Sequence, residues 1–149
     1  MLFLKKYKRD NIDTIYNSIY RVDKLYEKWA KKNNIGYYNM LLFYYLIEEG
    51  KMTQKEICDE IEIPKQTLNN IVKSVKEQGY IQLEVNPLNK KEKEISLTQA
   101  GKEYAEKLIF PLFEMEEYVL SQIPVESLRQ VVQTLNLFGD IFSEKMEKF

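Results

Sequence analysis

From residue 12 onward the apolar positions recur with helical spacing. Ile12, Ile15, Tyr16, Ile19, Val22, Tyr26 and Trp29 form one stripe, which Asp10 or Asn11 can cap at its start and Asn33, Asn34 and Gly36 can close. A second helix follows over 37–48, where Met40, Leu41, Phe43, Tyr44, Leu46 and Ile47 make it apolar nearly all round. Such a helix belongs in the interior. Gly50 ends it. Thr53-Gln-Lys-Glu56 has the form of a capping box, in which hydroxyl and carboxylate satisfy reciprocal backbone donors. It opens a short helix with Ile57, Cys58 and Ile61 facing inward. Pro64 suits the first turn of the next helix, where a missing N–H costs nothing. That helix runs to about residue 78, and Gly79 stops it. Two short helices joined by a tight turn are a helix-turn-helix signature.

After Gly79 the period changes from helical to alternating. Ile81, Leu83 and Val85 alternate with Gln82 and Glu84, and Ile95 and Leu97 flank Ser96. The intervening Asn86-Pro-Leu-Asn-Lys-Lys-Glu92 is turn-forming and then charged, so the segment reads as a β-hairpin wing with a basic tip. Thr98 caps a long helix to about residue 121, with Ala100, Tyr104, Leu108, Leu112, Met115 and Val119 on one stripe. Pro111 should kink this helix without ending it, because the stripe resumes in phase. A last helix from about 124 carries Leu128, Val131, Leu135, Phe138, Phe142 and Met146. This is more apolar surface than a terminal helix can leave without a partner. The expected fold is mainly α with a small β-hairpin wing: one domain over 1–149. Within it, a winged helix-turn-helix over 37–97 is flanked by dimerisation helices at 10–34 and 98–149.

Composition narrows the chemistry. At 149 residues, 44% hydrophobic and 30% charged, the chain is that of an ordinary globular protein. It contains no His, which excludes imidazole acid–base catalysis, His-based nucleophile pairs and His-ligated metals. One Cys makes no internal disulfide or thiolate-rich metal site, and five Gly offer little backbone for a phosphate loop. The reading is therefore of a non-enzyme with no cofactor and no metal. No apolar run approaches a membrane span, and the N-terminus lacks a secretory pattern, so a cytoplasmic protein is expected. The net charge of −1 conceals sorting: residues 1–34 carry nine Lys/Arg against four Asp/Glu, and residues 65–97 six against four. Residues 35–64 and 98–149 are acidic. Any argument for nucleic acid must rest on local placement.

On a helical wheel of 64–78, Leu68, Ile71, Val72 and Val75 define the inner face, and Gln66, Asn70 and Lys73 gather at the opposite pole. Lys65 and Asn69 flank that pole, and Thr67 lies at its shoulder. Gln or Asn can bond bidentately to adenine, while Lys neutralises phosphate, so this face has the chemistry of base readout with phosphate clamping. The same residues also occur on any solvated helix face; the capped preceding helix and the wing favour readout. In the wing, Lys90, Lys91 and Lys93 alternate with Glu92 and Glu94 and are candidates for a minor groove or phosphate.

The order of these parts resembles the multiple-antibiotic-resistance-regulator (MarR-type) family of winged-helix repressors over essentially the whole chain. The matching text is Thr53-Gln-Lys-Glu-Ile, then Gln66 to Ile81, then Ile95-Ser-Leu-Thr-Gln-Ala-Gly101, whose Leu-Thr-x-x-Gly turn is the most diagnostic piece. The resemblance implies a homodimer on double-stranded DNA with an inverted-repeat operator. It implies readout from Gln66, Thr67 and Asn70, with Lys73 near phosphate. The family's wing usually carries an Asp and two Arg, and those positions are here Asn89, Lys90 and Lys91. Lys lacks the planar fork of Arg, which weakens minor-groove insertion.

The resemblance also implies a pocket for a small aromatic effector where the first, second and fifth helices meet. Its candidate lining is Tyr16, Tyr20, Tyr38, Tyr45, Tyr104 and Leu108, although an aromatic stripe at helical spacing is more often core or interface. Peroxide sensors of this family place their cysteine near the N-terminus, whereas Cys58 falls on an inward helix face, where a thiol is ordinarily inert packing. The alternative to a regulator is a winged-helix protein–protein adaptor without DNA binding, motivated by the wing substitutions and an isoelectric point of 5.7.

Overall fold

The computed structural model describes residues 2–86, 89 and 92–149, with side chains from residue 9 onward; Lys90 and Lys91 lie outside the described residues. The chain divides into two compact units, Met1–Ile109 and Phe110–Phe149. The first contains α1 (Leu2–Lys32), α2 (Tyr37–Glu49), β1 (Lys51–Thr53), α3 (Gln54–Ile61), α4 (Lys65–Glu77), β2 (Ile81–Val85) and β3 (Lys93–Leu97). The first half of α5 (Gln99–Ser121) completes it. The second unit holds the rest of α5 and α6 (Val125–Met146). No helix among the described residues is long and apolar enough to cross a membrane.

The core of the first unit is built on α2, whose Met40, Leu42, Phe43 and Leu46 are buried. Around it sit Ile57 of α3, Leu68, Val72 and Val75 of α4, Ile81 and Ile95 of the sheet, and Ala105 and Ile109 of α5. Phe43 meets Tyr104 edge-on at 5.3 Å between ring centres, and Tyr104 stacks on Tyr80 at 4.6 Å. Burial and the neighbouring Tyr80 push the Tyr104 phenol's pKa up. Across α1 and α5, the Trp29 indole donates to the Leu108 carbonyl at 3.3 Å. At the other edge the Tyr37 hydroxyl donates to the Asp23 carboxylate at 2.6 Å, joining α2 to α1.

Several boundaries differ from expectation. α1 starts at Leu2, not at Asp10 or Asn11. A side-chain cap acts only where the preceding backbone leaves the helix, and residues 2–9 contain no Gly or Pro to make it do so. Asn34, at φ 54°, ends α1 with Ile35 N–H on the Ala30 carbonyl and Asn34 N–H on that of Lys31, each at 3.1 Å. Pro64 is the N-cap of α4 and stands one residue before the helix. The sheet has a third strand: β1 pairs antiparallel with β3, giving the order β1-β3-β2, with Met52 and Leu83 both opposite Ile95.

α5 runs through Pro111 without a break, and its inner stripe keeps Leu108 and Leu112 but takes in Gly101, Ala105 and Ile109 where Ala100 and Tyr104 were expected. Ala100 is exposed, while Gly101, Ala105, Leu108, Ile109 and Leu112 are buried. The Leu-Thr-x-x-Gly turn explains the change. Thr98 donates its hydroxyl to the Gly79 carbonyl at 2.6 Å and its N–H to the Tyr80 carbonyl at 3.0 Å, and it accepts the Gly101 N–H at 3.0 Å. One threonine thus caps α5 and ties it to the end of α4. A Cβ on Gly101 would stand 1.8 Å from the Tyr80 oxygen, so only glycine permits the approach.

In the second unit, α6 begins after Pro124 and none of its residues is buried. Phe138 stacks on Phe142 at 6.1 Å. Val131, Leu135, Phe142 and Met146 present their apolar groups to solvent.

Candidate nucleic-acid interface

The helix-turn-helix is fixed at its entrance by the capping box. Glu56 N–H donates to the Thr53 hydroxyl at 3.2 Å, and the Glu56 carboxylate accepts the Thr53 N–H at 2.7 Å and its hydroxyl at 2.9 Å. Those bonds, the backbone one foremost, hold the Glu56 carboxyl below the usual carboxylate range. Ile57, wholly buried one residue later, anchors α3, and Ile63 in the turn is buried as well. The turn itself passes through Glu62 in a left-handed conformation.

α4 is then held by Leu68, Val72 and Val75, so its other face must look outward. Lys65, Gln66, Asn70 and Lys73 are exposed there, and Thr67 and Asn69 are half-buried at its margins. Gln66 Nε2 donates to Asn70 Oδ1 at 3.3 Å, which keeps the two amides side by side one turn apart. Gly79, at φ 80°, stops the helix, with Tyr80 N–H on the Val75 carbonyl and Gly79 N–H on that of Lys76.

The wing follows at once. Asn86 N–H on the Glu92 carbonyl and Glu92 N–H on the Asn89 carbonyl narrow the hairpin toward its tip, where Asn89 is exposed. On the outer face of the sheet Glu84 and Glu94 lie directly opposite each other, a repulsive pairing. Lys51, from β1, reaches Glu84 at 2.7 Å and offsets it, and this bond raises the ammonium's pKa. A cleft of about 590 Å³ opens between the start of α3, the start of α4 and the base of the wing. Gln54, Lys55, Cys58, Lys65, Leu83, Glu92 and Lys93 line it. Cys58 is therefore half-buried at a cleft wall, and not simply packed inward. Lys55 escaped the sequence reading because only the fold brings it beside Lys65 and Lys93.

The residues proposed for an effector pocket lie on α1, α2 and α5. Tyr16 and Tyr20 are more than half exposed on α1, and Tyr38 packs beside Tyr37. Tyr45 meets Tyr44 and borders a second, smaller cleft with Glu49, Glu56 and Glu60. Tyr104 is taken up by Phe43 and Tyr80, and Leu108 is buried.

A tri-helical core, a capped helix-turn-helix and a hairpin locked to the next helix define a winged-helix protein. Residues 39–92 match the model of the MarR family. Among solved structures, a MarR family regulator from Neisseria meningitidis superposes with a TM-score of 0.79 at 23% identity, covering 93% of this chain and 97% of that one. S. aureus MepR in complex with DNA gives 0.65 at 19%, covering 88% and 97%. Reduced AbfR bound to DNA gives 0.63 at 23%, covering 93% and 98%. Among curated protein sequences, none matches. Residues 39–92 are thus similar to the MarR family, and the chain shares the winged-helix fold of these structures.

Proposed function

We propose that the protein is a transcriptional repressor that binds an inverted-repeat DNA site sequence-specifically as a homodimer. The observation that carries this reading is the outward face of α4, where Gln66 and Asn70 are held together by their own hydrogen bond between Lys65 and Lys73. Whichever way the two amides turn, their mutual bond leaves one amide nitrogen and one amide oxygen unengaged. That is the complement of adenine N7 and N6 in a major groove. A first-turn amide on such a helix reaches base edges, while the flanking lysines meet phosphate. Structures of S. aureus MepR and of AbfR, which share this fold, contain DNA.

The homodimer rests on unpartnered apolar surface. Ile12, Ile19, Val22 and Leu25 of α1 and Val131, Leu135 and Phe142 of α6 are exposed. Leaving such groups in water costs about 25 cal/mol per Å². Two-fold symmetry in the protein then requires a two-fold repeat in the site.

Selection from random oligonucleotides at low salt tests the reading. Enrichment of a palindrome supports it. A folded dimer that enriches nothing overturns it in favour of a protein-binding module. Sedimentation at low micromolar concentration is the companion measurement, and a folded monomer there removes the dimer.

A further inference from the structure

We propose that the cleft between α3, α4 and the wing is a backbone-phosphate site in which Lys55, Lys65 and Lys93 hold one DNA phosphodiester. The proposal rests on the DNA-binding reading above and adds to it a position and an occupant. Three elements distant in sequence each contribute one lysine to the lining of the same cleft, in which Glu92 is the single acidic residue. None of the three cleft lysines has an ion pair among the described residues.

Three cations against the one carboxylate of Glu92 leave an excess of positive charge that opposes folding, and an anion seated among them offsets that opposition. The positive end of α3 borders the same cleft through Gln54 and Lys55, which favours an oxyanion further. Lys65 immediately precedes Gln66, so a phosphate held here lies beside the base edges that Gln66 would read. Lys93, at the wing's base, thereby joins a clamp that does not require Lys90 or Lys91.

The test uses the full-length protein on its selected duplex and on random DNA. Lys55→Gln, Lys65→Gln, Lys93→Gln and the triple variant are compared with Lys102→Gln, which removes the same charge from α5. All four lysines are exposed, and thermal melting checks that the fold is kept. Each cleft variant should weaken both DNAs by the same factor. The triple variant should flatten the slope of log K against log salt by about 0.9 per phosphate released in each subunit, while Lys102→Gln leaves it unchanged. Methylphosphonate placed at one phosphate per half-site should lower wild-type affinity and cost the triple variant nothing more. A triple variant with the slope of Lys102→Gln, or with wild-type sensitivity at every neutralised phosphate, overturns the cleft and leaves the DNA reading standing. A wild-type protein that binds neither DNA overturns both.

Discussion

Helices α4 and α6 follow the same plan, one apolar stripe with a polar remainder, and come to opposite ends. In α4 the stripe is closed inside its own unit: Leu68 is 0% and Val75 1% exposed. In α6 the corresponding stripe is open, with Val131 57% and Phe142 61% exposed. The difference decides which face of each helix is available for recognition. α4 spends its apolar face on the core and offers amides and ammonium groups, suited to a polar, charged ligand. α6 keeps its apolar face free, suited to another apolar surface.

The contrast is most directly broken by truncating one stripe residue in each helix. Leu68→Ala removes a wholly buried side chain from the core and should cost about 2–5 kcal/mol in urea unfolding. Leu135→Ala should leave the unfolding of the protomer itself nearly unchanged and raise the dimer dissociation constant seen by sedimentation. If Leu135→Ala instead destabilises at concentrations far below dimer dissociation, the α6 stripe is covered within the protomer, and the comparison fails.

Glycine sharpens the same distinction with opposite signs. Gly101→Ala drives a methyl group into the Tyr80 carbonyl and should destabilise by about 1–3 kcal/mol, since the obstruction is backbone and cannot turn aside. Gly139→Ala in α6 meets nothing within 4 Å and should stabilise by about 0.5–1 kcal/mol through helix propensity alone. Melting curves of both variants decide it. A Gly139→Ala protein that melts earlier would mean that a neighbouring backbone comes close to α6 in the dimer.

The polar face of α4 is tested through specificity. Gln66→Ala should cost about 1–3 kcal/mol on the selected duplex and little on random DNA, because a base contact carries sequence information and a phosphate contact does not. Equal losses on both, measured by titration at one salt concentration, would demote Gln66 to general backbone contact.

These sites differ in how far the sequence could disclose them. The capping box, the Gly79 stop and the Leu-Thr-x-x-Gly turn were legible because each is written in a few consecutive residues whose bonds are local. The exposed pole of α4 was legible because helical period alone sorts Leu68 from Gln66. β1 was not: three residues carry no period, and what makes Lys51–Thr53 a strand is β3, some forty positions later. The start of α1 was misread because Asp10 and Asn11 are capping residues only if the chain before them is not already helical. The lysine cleft was invisible for a related reason, since Lys55, Lys65 and Lys93 share no segment. A pocket lined by the tyrosines of α1 and α2 is implied by the family resemblance alone, since helical spacing fixes a face of a helix but not what meets it.

Helix starts give a smaller contrast between the two units. α3 has a full capping box, whereas α6 follows Pro124, which offers no side-chain acceptor. Thr53→Ala should therefore cost about 1 kcal/mol at neutral pH. Its dependence on acid follows from Glu56, whose folded carboxyl is held below its unfolded value by the Thr53 N–H and then by the Thr53 hydroxyl. A carboxyl shifted down contributes stability that is complete above its unfolded pKa, about 4.3, and fades as pH falls through the lower folded value. The box should thus act fully at pH 7 and weaken steadily below about pH 4. Glu56→Gln keeps an acceptor at the same position and should show a smaller loss that does not vary with acid. Hydrogen exchange, corrected for intrinsic rates, should show protection falling in the first turn of α3 over that window and staying level in the first turn of α6. Equal loss in both turns would mean that acid loosens the whole molecule and that the box has no separate part in it.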